Sequence, residues 1–257
     1  MALITFTSDF GYTDHYVAAV KAKILSTDVA ATIVDVTHAI EPFNIAHGVQ
    51  VVKAVYQDFP EGTVHIVAVD THGSRHNRFH AIRYKGHYFL AADNGILSLL
   101  TEAEPEVVVE LQTETPVYAP ARDLLAPAAT FLAKGGDIEA LGDSKTNMHE
   151  LIHRQLRLND HFITGHIVHV DHYGNLITNI SRDSIDAIGH GRSFSIRFAR
   201  ETVERISPTY NAVEDGDCVC VFNTQNQLCI GINKGNAAEL LGLGFDSQVD
   251  VHFNQHE

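Results

Sequence analysis

The stretch VAVDTHGSRHNRFHAI, from Val67 to Ile82, places acid–base and anion-binding side chains directly after an apolar run. Asp70 ends that run, and His72, Arg75 and His76 follow within six residues. A carboxylate can orient water, an imidazole can accept a proton, and a guanidinium can stabilise negative charge. The stretch therefore predicts a proton-handling site just beyond the end of a strand.

The histidines of this stretch also have a spacing that could serve a metal. His72, His76 and His80 are four residues apart, which on a helix would suit zinc. Gly73 and Asn77 favour a loop instead, and His80 falls in the next predicted strand. We expect solvated loop histidines and no metal.

A second candidate cluster is TSDFGYTDHY, which carries two carboxylates five residues apart, Asp9 and Asp14. A carboxylate at a strand end can accept both hydroxyls of a ribose. The alternative is structural, with Asp9 capping a turn and Asp14 capping the helix that follows.

Two later segments could hold the polar ends of a small ligand. In VDHYGNLITNI, Asp171 could bind an ammonium group and Asn175 a carboxylate or amide, or the two could belong to an ordinary hairpin turn. INKGNAAELLG is a turn that opens a helix, and its backbone N–H groups could bind a ring nitrogen or an anion.

The elements that position these residues change in character along the chain. ITFTSDF, ATIVDVTH and VHIVAVD are apolar strands that alternate with helical patterns in Thr13 to Leu25 and NIAHGVQVVKAVYQDF. A hairpin turned at Lys85-Gly86, a turn at Asp93 to Gly95 and a helix from Ala121 to Gly136 follow, with Pro127 marking the first turns or a kink of that helix. This pattern predicts a mostly parallel α/β sandwich domain over 1–155, with helices on both faces of the sheet.

The later part reads as short alternating strands separated by turns, namely HFITGHIVHVD, NLITNI, SFSIRFA, DCVCVFN and QLCIGIN. They predict a smaller all-β, barrel-like domain over 160–257, with the linker between Ser144 and Asp160. Because ligands bind at the carboxyl ends of parallel strands, we expect a site at the sheet edge where Asp9 and Asp70 lie.

Composition narrows the class of function. The formal net charge of −14 disfavours nucleic-acid binding, and no apolar run is long enough to span a membrane. Three cysteines, Cys218, Cys220 and Cys229, form no CxxC pair and suit buried positions in a reducing cytoplasm. No GxGxxG, Walker A, GxSxG or HExxH motif is present.

Taken together and in order, these segments resemble the S-adenosylmethionine hydroxide adenosyltransferase family, relatives of the fluorinase and chlorinase enzymes. The resemblance extends over nearly the whole chain, from TSDFGYTDHYVAAVKA through IVDVTHAIEPFNIAHG, HYFLAADNGILS and ARDLLAPAA to VDHYGNLITNI and GNAAELLGL. It implies a homotrimer in which the ligand lies between the N-terminal domain of one subunit and the C-terminal domain of its neighbour.

The resemblance also implies roles for single residues. Asp9 would hold the ribose hydroxyls, and aromatic rings at Phe43 and Tyr210 would flank the nucleoside. The methionine end would be held by Asp171, Asn175 and Thr224, and adenine by the turn at Asn236 and Ala237. No metal is implied.

The catalytic set departs from the family. Hydrolytic members carry an Asp, an Arg and a His, and only the Asp is matched, by Asp70. Where DPGVGxxRR is usual, this chain has DTHGSRHNR, which leaves Asn77 at the Arg position and Arg78 at the second arginine. Where FHGRD is usual it has APARD, which puts Pro120 at the His position. We expect one or two of His72, Arg75 and His76 to rebuild the lost proton handling and positive charge; the alternative is a loop that drifted after activity was lost.

The expected function is hydrolysis of S-adenosylmethionine by in-line attack of water at the ribose C5′, which gives adenosine and methionine. Asp70 would repel a halide nucleophile, which favours water. Two alternatives stay open: a non-catalytic protein that binds S-adenosylmethionine or adenosine, and a related transferase that uses another anion such as a halide.

Overall fold

The computed structural model describes residues 2–74, 77–113, 117–144, 147–152 and 154–254. The chain divides into two compact units, Met1–Ile152 and His153–Glu257. The division falls within the polar stretch that the sequence indicates as a linker.

The described part of the first unit forms a seven-stranded sheet in the order β2-β1-β3-β5-β4-β6-β7. Its strands are β1 (Ile4–Ser8), β2 (Ile33–Thr37), β3 (Val64–Ala68), β4 (Phe79–Tyr84), β5 (His87–Ala92), β6 (Val107–Leu111) and β7 (Gly142–Ser144). The first four strands of the order pair in parallel, and the remaining pairs are antiparallel. The α/β prediction is confirmed.

Helices cover both faces of this sheet. They are α1 (Tyr16–Thr27), α2 (Ile45–Val55), α3 (Ile96–Leu100) and α4 (Ala126–Ala133). Alternate residues of the β3 run serve the two faces: Ile66 and Ala68 belong to the core under α1 and α4, whereas Val67 and Val69 belong to the core under α2 and α3. A strand buried on both faces explains the continuous apolar run before Asp70.

Several local predictions are confirmed. Lys85 and Gly86 both have positive φ, 48° and 77°, as the tight hairpin between β4 and β5 requires. A π-helical turn over Ala121–Leu125 precedes α4, and Pro127 stands in the first turn of α4, where its missing N–H costs least.

The predicted start of α1 is wrong. The helix begins at Tyr16, and its N-cap His15 makes no side-chain capping bond, so neither Thr13 nor Asp14 caps it. The loop before it is held to the end of β2, because the Gly11 amide donates to the His38 carbonyl and the His38 amide donates to the Tyr12 hydroxyl. The chain is free to turn helical only beyond these contacts.

The second unit is antiparallel throughout its described strands, in the order β12-β11-β15-β9-β10-β14-β13, with β8 paired to β9. They are β8 (Arg157–Leu158), β9 (Phe162–Val170), β10 (Leu176–Ser181), β11 (Phe194–Phe198), β12 (Glu201–Val203), β13 (Cys218–Phe222), β14 (Gln227–Ile232) and β15 (Gln248–Phe253). Because β12 and β13 contact each other, the sheet nearly closes into a barrel, as predicted. Helices α5 (Arg182–Gly189) and α6 (Ala237–Leu241) complete the unit.

The three cysteines lie in this barrel as free thiols, with Cys220 and Cys229 buried and Cys218 half-buried. This matches the prediction of small buried side chains. Within the described ranges, none of the helices combines the length and apolar character that crossing a membrane requires.

Candidate functional site

Three loops of the first unit converge on the carboxylate of Asp9. Asp9 follows β1, and its Oδ2 accepts the amide of Phe43, beyond β2, at 3.0 Å and the amide of Asp70, beyond β3, at 3.1 Å. Strands β2, β1 and β3 are neighbours in the parallel part of the sheet, so their carboxyl ends meet at one edge. The predicted meeting of polar strand ends at this edge is observed.

The two donors to Asp9 have unusual backbone conformations. Phe43 has a φ of 64° and Asp70 a φ of 46°, in the left-handed region that side chains other than glycine rarely adopt. Such conformations cost roughly 1–3 kcal/mol each and persist where the surroundings enforce them. Here the shared bonds to Asp9 supply part of that enforcement.

The Asp70 carboxylate lies against its own turn. The Gly73 amide donates to the Asp70 carbonyl at 2.9 Å, and a Cβ at Gly73 would come within 2.1 Å of Asp70 Oδ2. Burial raises the pKa of the Asp70 carboxyl, the nearby Asp9 charge adds to the rise, and His72 opposes it. The Asp9 carboxylate and the His72 imidazole therefore lie close enough to Asp70 to affect its pKa.

A cavity of about 580 Å³ opens beside these carboxylates. Its lining includes the predicted residues Asp9, Phe43, Asp70 and His72, and Pro120 forms part of the wall. Asp14, the second carboxylate of the TSDFGYTDHY segment, is not in the lining. This volume is in the range of small-molecule sites.

The cavity also contains side chains that the sequence did not single out: His15, Tyr16, Tyr118 and Arg122. Each lies within or next to a segment that carries the family resemblance, and this position was the only sign in the sequence that it could reach the site. Arg122 is held by Asp123 through two bonds of 2.7 Å. His15 adds a second imidazole to the cavity.

A chain of polar contacts, buried at Ser8 and His38 and exposed at Asp35, joins the strand ends behind the cavity. Ser8 Oγ lies 2.8 Å from His38 Nδ1, and His38 Nε2 lies 3.1 Å from Asp35 Oδ1, while Lys21 pairs with Asp35. Burial lowers the pKa of His38. Ser8 is fully buried and outside the cavity lining, so this Ser-His-Asp arrangement positions β1 and β2 and presents no nucleophile.

The residues expected to replace the missing arginine and histidine are only partly described. His72 is exposed at the cavity, whereas Arg75 and His76 lie outside the described residues. Asn77 has a φ of 50° and its amide donates to the Ser74 carbonyl. Pro120 is buried and has no side-chain donor or acceptor, so it cannot do the work of a histidine.

The second unit gathers most of its predicted ligand residues at one turn. Asp171 Oδ1 accepts the amides of Tyr173 and Asn175 at 2.9 Å each, and Asp171 Oδ2 accepts the Asn175 side chain at 2.9 Å. Asp171 and Asn175 therefore stabilise this turn, as the structural alternative predicted. The same bonds hold in place the carboxylate that would meet an ammonium group.

Neighbouring residues pack closely on this turn. A Cβ at Gly174 would lie 1.9 Å from Asn236 Oδ1, so the Asn236 side chain rests on the glycine. Asn236 also caps α6, which begins at the buried Ala237. Tyr210 and Asn175 both lie against Gly231. Burial, with smaller contributions from Cys229 and Asp171, raises the pKa of Tyr210 to about 12.

Thr224 has a different location from the other predicted ligand residues. It is exposed in the turn between β13 and β14, which lies at the Ser181 end of β10, whereas Asp171 and Asn175 lie at the Leu176 end. Thr224 Oγ1 accepts the Gln225 side chain at 2.6 Å.

The metal alternative involves His76, which lies outside the described residues. No group of three or more His, Cys, Asp or Glu residues is arranged to hold a metal ion within the part of the chain that the structure describes. His80 lies in β4, fully buried, while His72 is exposed in the loop.

Comparison with known proteins agrees with this arrangement. A family model described as the SAM hydroxide adenosyltransferase N-terminal domain matches residues 4–142, and one described as the C-terminal domain of the same family matches residues 165–250. The chain belongs to the SAM hydroxide adenosyltransferase family. The predicted family is thereby confirmed.

Relatives within this family have two kinds of name. A protein of Methanocaldococcus jannaschii named (R)-S-adenosyl-L-methionine hydrolase is 27% identical over 97% of this chain and 95% of its own length. One of the same name from Thermus thermophilus is 29% identical over 95% and 96%. A protein named fluorinase from Nocardia brasiliensis is 28% identical over 97% of each chain.

A solved structure of an uncharacterised conserved protein from Thermotoga maritima is also similar. It superposes with a TM-score of 0.87 at 27% identity, covering 97% of this chain and 99% of that one. The matches to relatives named hydrolase and to one named fluorinase each extend over both units of this chain.

Proposed function

We propose that this chain hydrolyses S-adenosylmethionine to adenosine and L-methionine by in-line attack of water at the ribose C5′. The observation that carries the proposal is the bond from the Asp70 amide to Asp9, which holds two carboxylates in the lining of one cavity; we assign ribose binding to Asp9 and water orientation to Asp70. Membership of a family whose relatives are named S-adenosylmethionine hydrolases supports it.

The chemistry asks little of the protein beyond alignment. The sulfonium makes methionine a neutral leaving group, so no general acid is needed at the sulfur. A water held by Asp70 on the far side of C5′ would meet the geometric demand of in-line displacement. Asp9 would fix the sugar by accepting its hydroxyls, since Phe43 and Asp70 donate only to its Oδ2.

The remaining ligand contacts would come from the second unit of a neighbouring subunit in a homotrimer. Asp171 and Asn175 would hold the methionine end, and the turn at Asn236 and Ala237 would read adenine, with Phe43 and Tyr210 as flanking rings. Thr224 lies at the other end of β10 and is left out of this assignment. Large exposed aromatics support this assembly. In the first unit Phe43 is 73% and Tyr118 94% exposed, and in the second Tyr173 is 75% exposed.

Because the Arg and His of the family's catalytic set are replaced in this chain, the proton acceptor and the positive charge must come from other residues, and the loop after Asp70 carries candidates. We propose that His72, Arg75 and His76 supply the proton acceptor and positive charge that Asn77 and Pro120 cannot. His72 supports this, because it lines the cavity and lies close enough to Asp70 to oppose the rise in the pKa of that carboxyl.

Two other functions compete with hydrolysis. Pro120 in the cavity wall favours a protein that binds S-adenosylmethionine or adenosine without turnover. The relatives named fluorinase suggest a transferase that uses a halide as the nucleophile. However, a carboxylate about 4 Å from a halide would repel it by roughly 4 kcal/mol at an effective dielectric constant of 20. Asp70 thus favours water. The free cysteines fit a cytoplasmic location.

The test combines product analysis with binding. The purified chain is incubated with S-adenosylmethionine, adenosine is measured by chromatography, and affinity is measured by calorimetry. Asp70→Asn should lower kcat by about 10²–10⁴-fold and leave binding nearly intact. Binding without adenosine in the wild type would select the binding protein, and halide-dependent product would select the transferase.

A further inference from the structure

The connection between β3 and β4 carries the catalytic candidates, and its two ends are separated by a strand. Strand β5 lies between β3 and β4, pairing Val67 with Ala91 on one side and Phe79 with Ala92 on the other. The connection from Val69 to Arg78 therefore joins two strands that flank β5. The residues that directly follow β5 are Asp93 and Asn94, and they contact the described residues at both ends of this connection.

Asn94 binds the first end of this loop. Its Nδ2 donates to the carbonyl of Val69 and to that of Asp70, both at 2.9 Å. The Ile96 amide donates to Asn94 Oδ1 at 3.1 Å, which fixes which side of the carboxamide faces the loop. The side chain is nearly inaccessible to solvent, at 6% exposure, so these bonds face little competition from water.

Asp93 binds the second end. Its Oδ2 lies 2.6 Å from the Arg78 guanidinium, and its amide donates to the Arg78 carbonyl at 2.9 Å. Oδ1 accepts the His149 amide at 2.6 Å. Asp93 is as buried as Asn94, whereas the Arg78 side chain is 34% exposed, so Asp93 would lose a charge partner in a buried position if the pair were broken.

The loop between these two points is held by short-range bonds alone in its described part. The Gly73 amide donates to the Asp70 carbonyl, and Ser74 accepts the amides of Asn77 and Arg78 through its carbonyl and hydroxyl. Asp70 and Asn77, near the two ends, both have positive φ. A loop with these conformations needs its ends fixed to keep Asp70 pointing into the cavity.

We propose that Asp93 and Asn94 act as positioning residues that clamp both ends of the 69–78 loop and so set the position of the Asp70 carboxylate. The inference rests on the proposed function only for its kinetic consequence. Whether Asp93 and Asn94 fix the loop can be measured by amide hydrogen exchange, without enzyme turnover.

The sharpest variant is Asn94→Ala, which removes both donors to the first end. Amide hydrogen exchange at Asp70, Gly73 and Arg78 should accelerate at least about tenfold relative to amides of the second unit. In the active enzyme kcat should fall at least about tenfold while KM for S-adenosylmethionine changes less than about threefold, because Asp9 and Phe43 follow other strands.

A matched control is Asn179→Ala. Asn179 also bridges two backbone groups, accepting the His166 amide and donating to the Arg154 carbonyl, but it lies in the second unit on β10. Its loss should leave loop exchange and kcat unchanged. Asp93→Asn, which keeps the shape and weakens only the Arg78 end, serves if Asn94→Ala does not fold.

The results of these experiments distinguish a failure of the clamp proposal from a failure of the proposed function. Accelerated loop exchange supports the clamp even if the wild-type chain forms no adenosine, a result that would reject the proposed function alone. Loop exchange equal to that of wild type in both Asn94→Ala and Asp93→Asn would overturn the clamp. So would faster exchange together with an unchanged kcat in an active enzyme, because the position of Asp70 would then not depend on these residues.

Discussion

The backbone amide of Asp70 donates to the side chain of Asp9 over 3.1 Å. This single bond ties the residue proposed to orient water to the residue proposed to hold the ribose. Because Asp9 also binds the Phe43 amide, this one carboxylate joins the loops that follow β1, β2 and β3. Small displacements of Asp70 should therefore affect the rate strongly.

Gly73→Ala tests that sensitivity. The new Cβ would lie 2.1 Å from Asp70 Oδ2, so the carboxylate must move by roughly an ångström. We expect kcat to fall by about 10²-fold, the usual cost of such a misplacement, with S-adenosylmethionine affinity little changed. Gly244→Ala is the control, since nothing lies within 4 Å of the place its new methyl group would occupy and it should be silent. Unaltered turnover in Gly73→Ala would show that Asp70 does not align the nucleophile.

The rebuilt catalytic loop predicts the behaviour of a triple variant. Replacing His72, Arg75 and His76 together by Ala should abolish adenosine formation, because Asn77 and Pro120 can supply neither the proton acceptor nor the positive charge in their place. A control with His161 and Arg200 both replaced by Ala removes exposed basic residues of the second unit and should keep full activity. Turnover that persists in the triple variant would refute the rebuilt site.

The shared site predicts complementation between inactive variants. Asp9→Asn disables the first-unit face and Asn236→Ala the second-unit face. Trimers assembled from an equal mixture should recover about a quarter of wild-type activity, since random neighbours pair two intact faces at that frequency. Mixing Asp9→Asn with Asp70→Asn should recover none, as both lesions fall on one face. Recovery in neither mixture, or a monomer by light scattering, would contradict the intersubunit site.

Stability should depend on pH through a buried histidine far from the cavity. Burial lowers the pKa of His65 from 6.5 to about 3, and its Nδ1 lies 2.7 Å from Thr5 Oγ1. The unfolded chain binds a proton below pH 6.5 and the folded chain does not, so this stability is complete above pH 6.5 and is lost as the pH falls toward 3.

From pH 7 to pH 4 the loss should be on the order of 3 kcal/mol in the free energy of unfolding. Urea unfolding at both pH values measures it. His65→Gln, which does not titrate, should have a smaller difference between the two; the same difference in the variant and the wild type would exclude His65 as its source. Burial also lowers the pKa of other histidines, so part of the dependence should remain.

How far the sequence predicts this molecule depends on the kind of interaction. The alternation of apolar residues in β3 and the Lys85-Gly86 turn are local, and they predicted the strand and the hairpin. The parallel order then brought Asp9 and Asp70 to one edge. The start of α1 was missed because it depends on contacts between Tyr12 and His38, which lie 26 positions apart in sequence.

The site was predicted in part for the same reason. Asp9 and Asp70 stand directly after strands, which is a readable signal. At Asn94 the sequence indicates only a turn, because its bonds to Val69 and Asp70 come from the pairing of β5 between β3 and β4. His15 is the N-cap residue of α1 and lines the cavity, and hydrophobic periodicity did not predict that the helix begins directly after it.

The most direct test of the central claim is to follow the oxygen. The chain is incubated with S-adenosylmethionine in H₂¹⁸O without halide, and the products are analysed by mass spectrometry. In-line attack by water predicts adenosine carrying ¹⁸O at its 5′ hydroxyl, with one methionine released for each adenosine. Absence of adenosine at saturating substrate, or adenosine whose 5′ oxygen is unlabelled, would contradict the account.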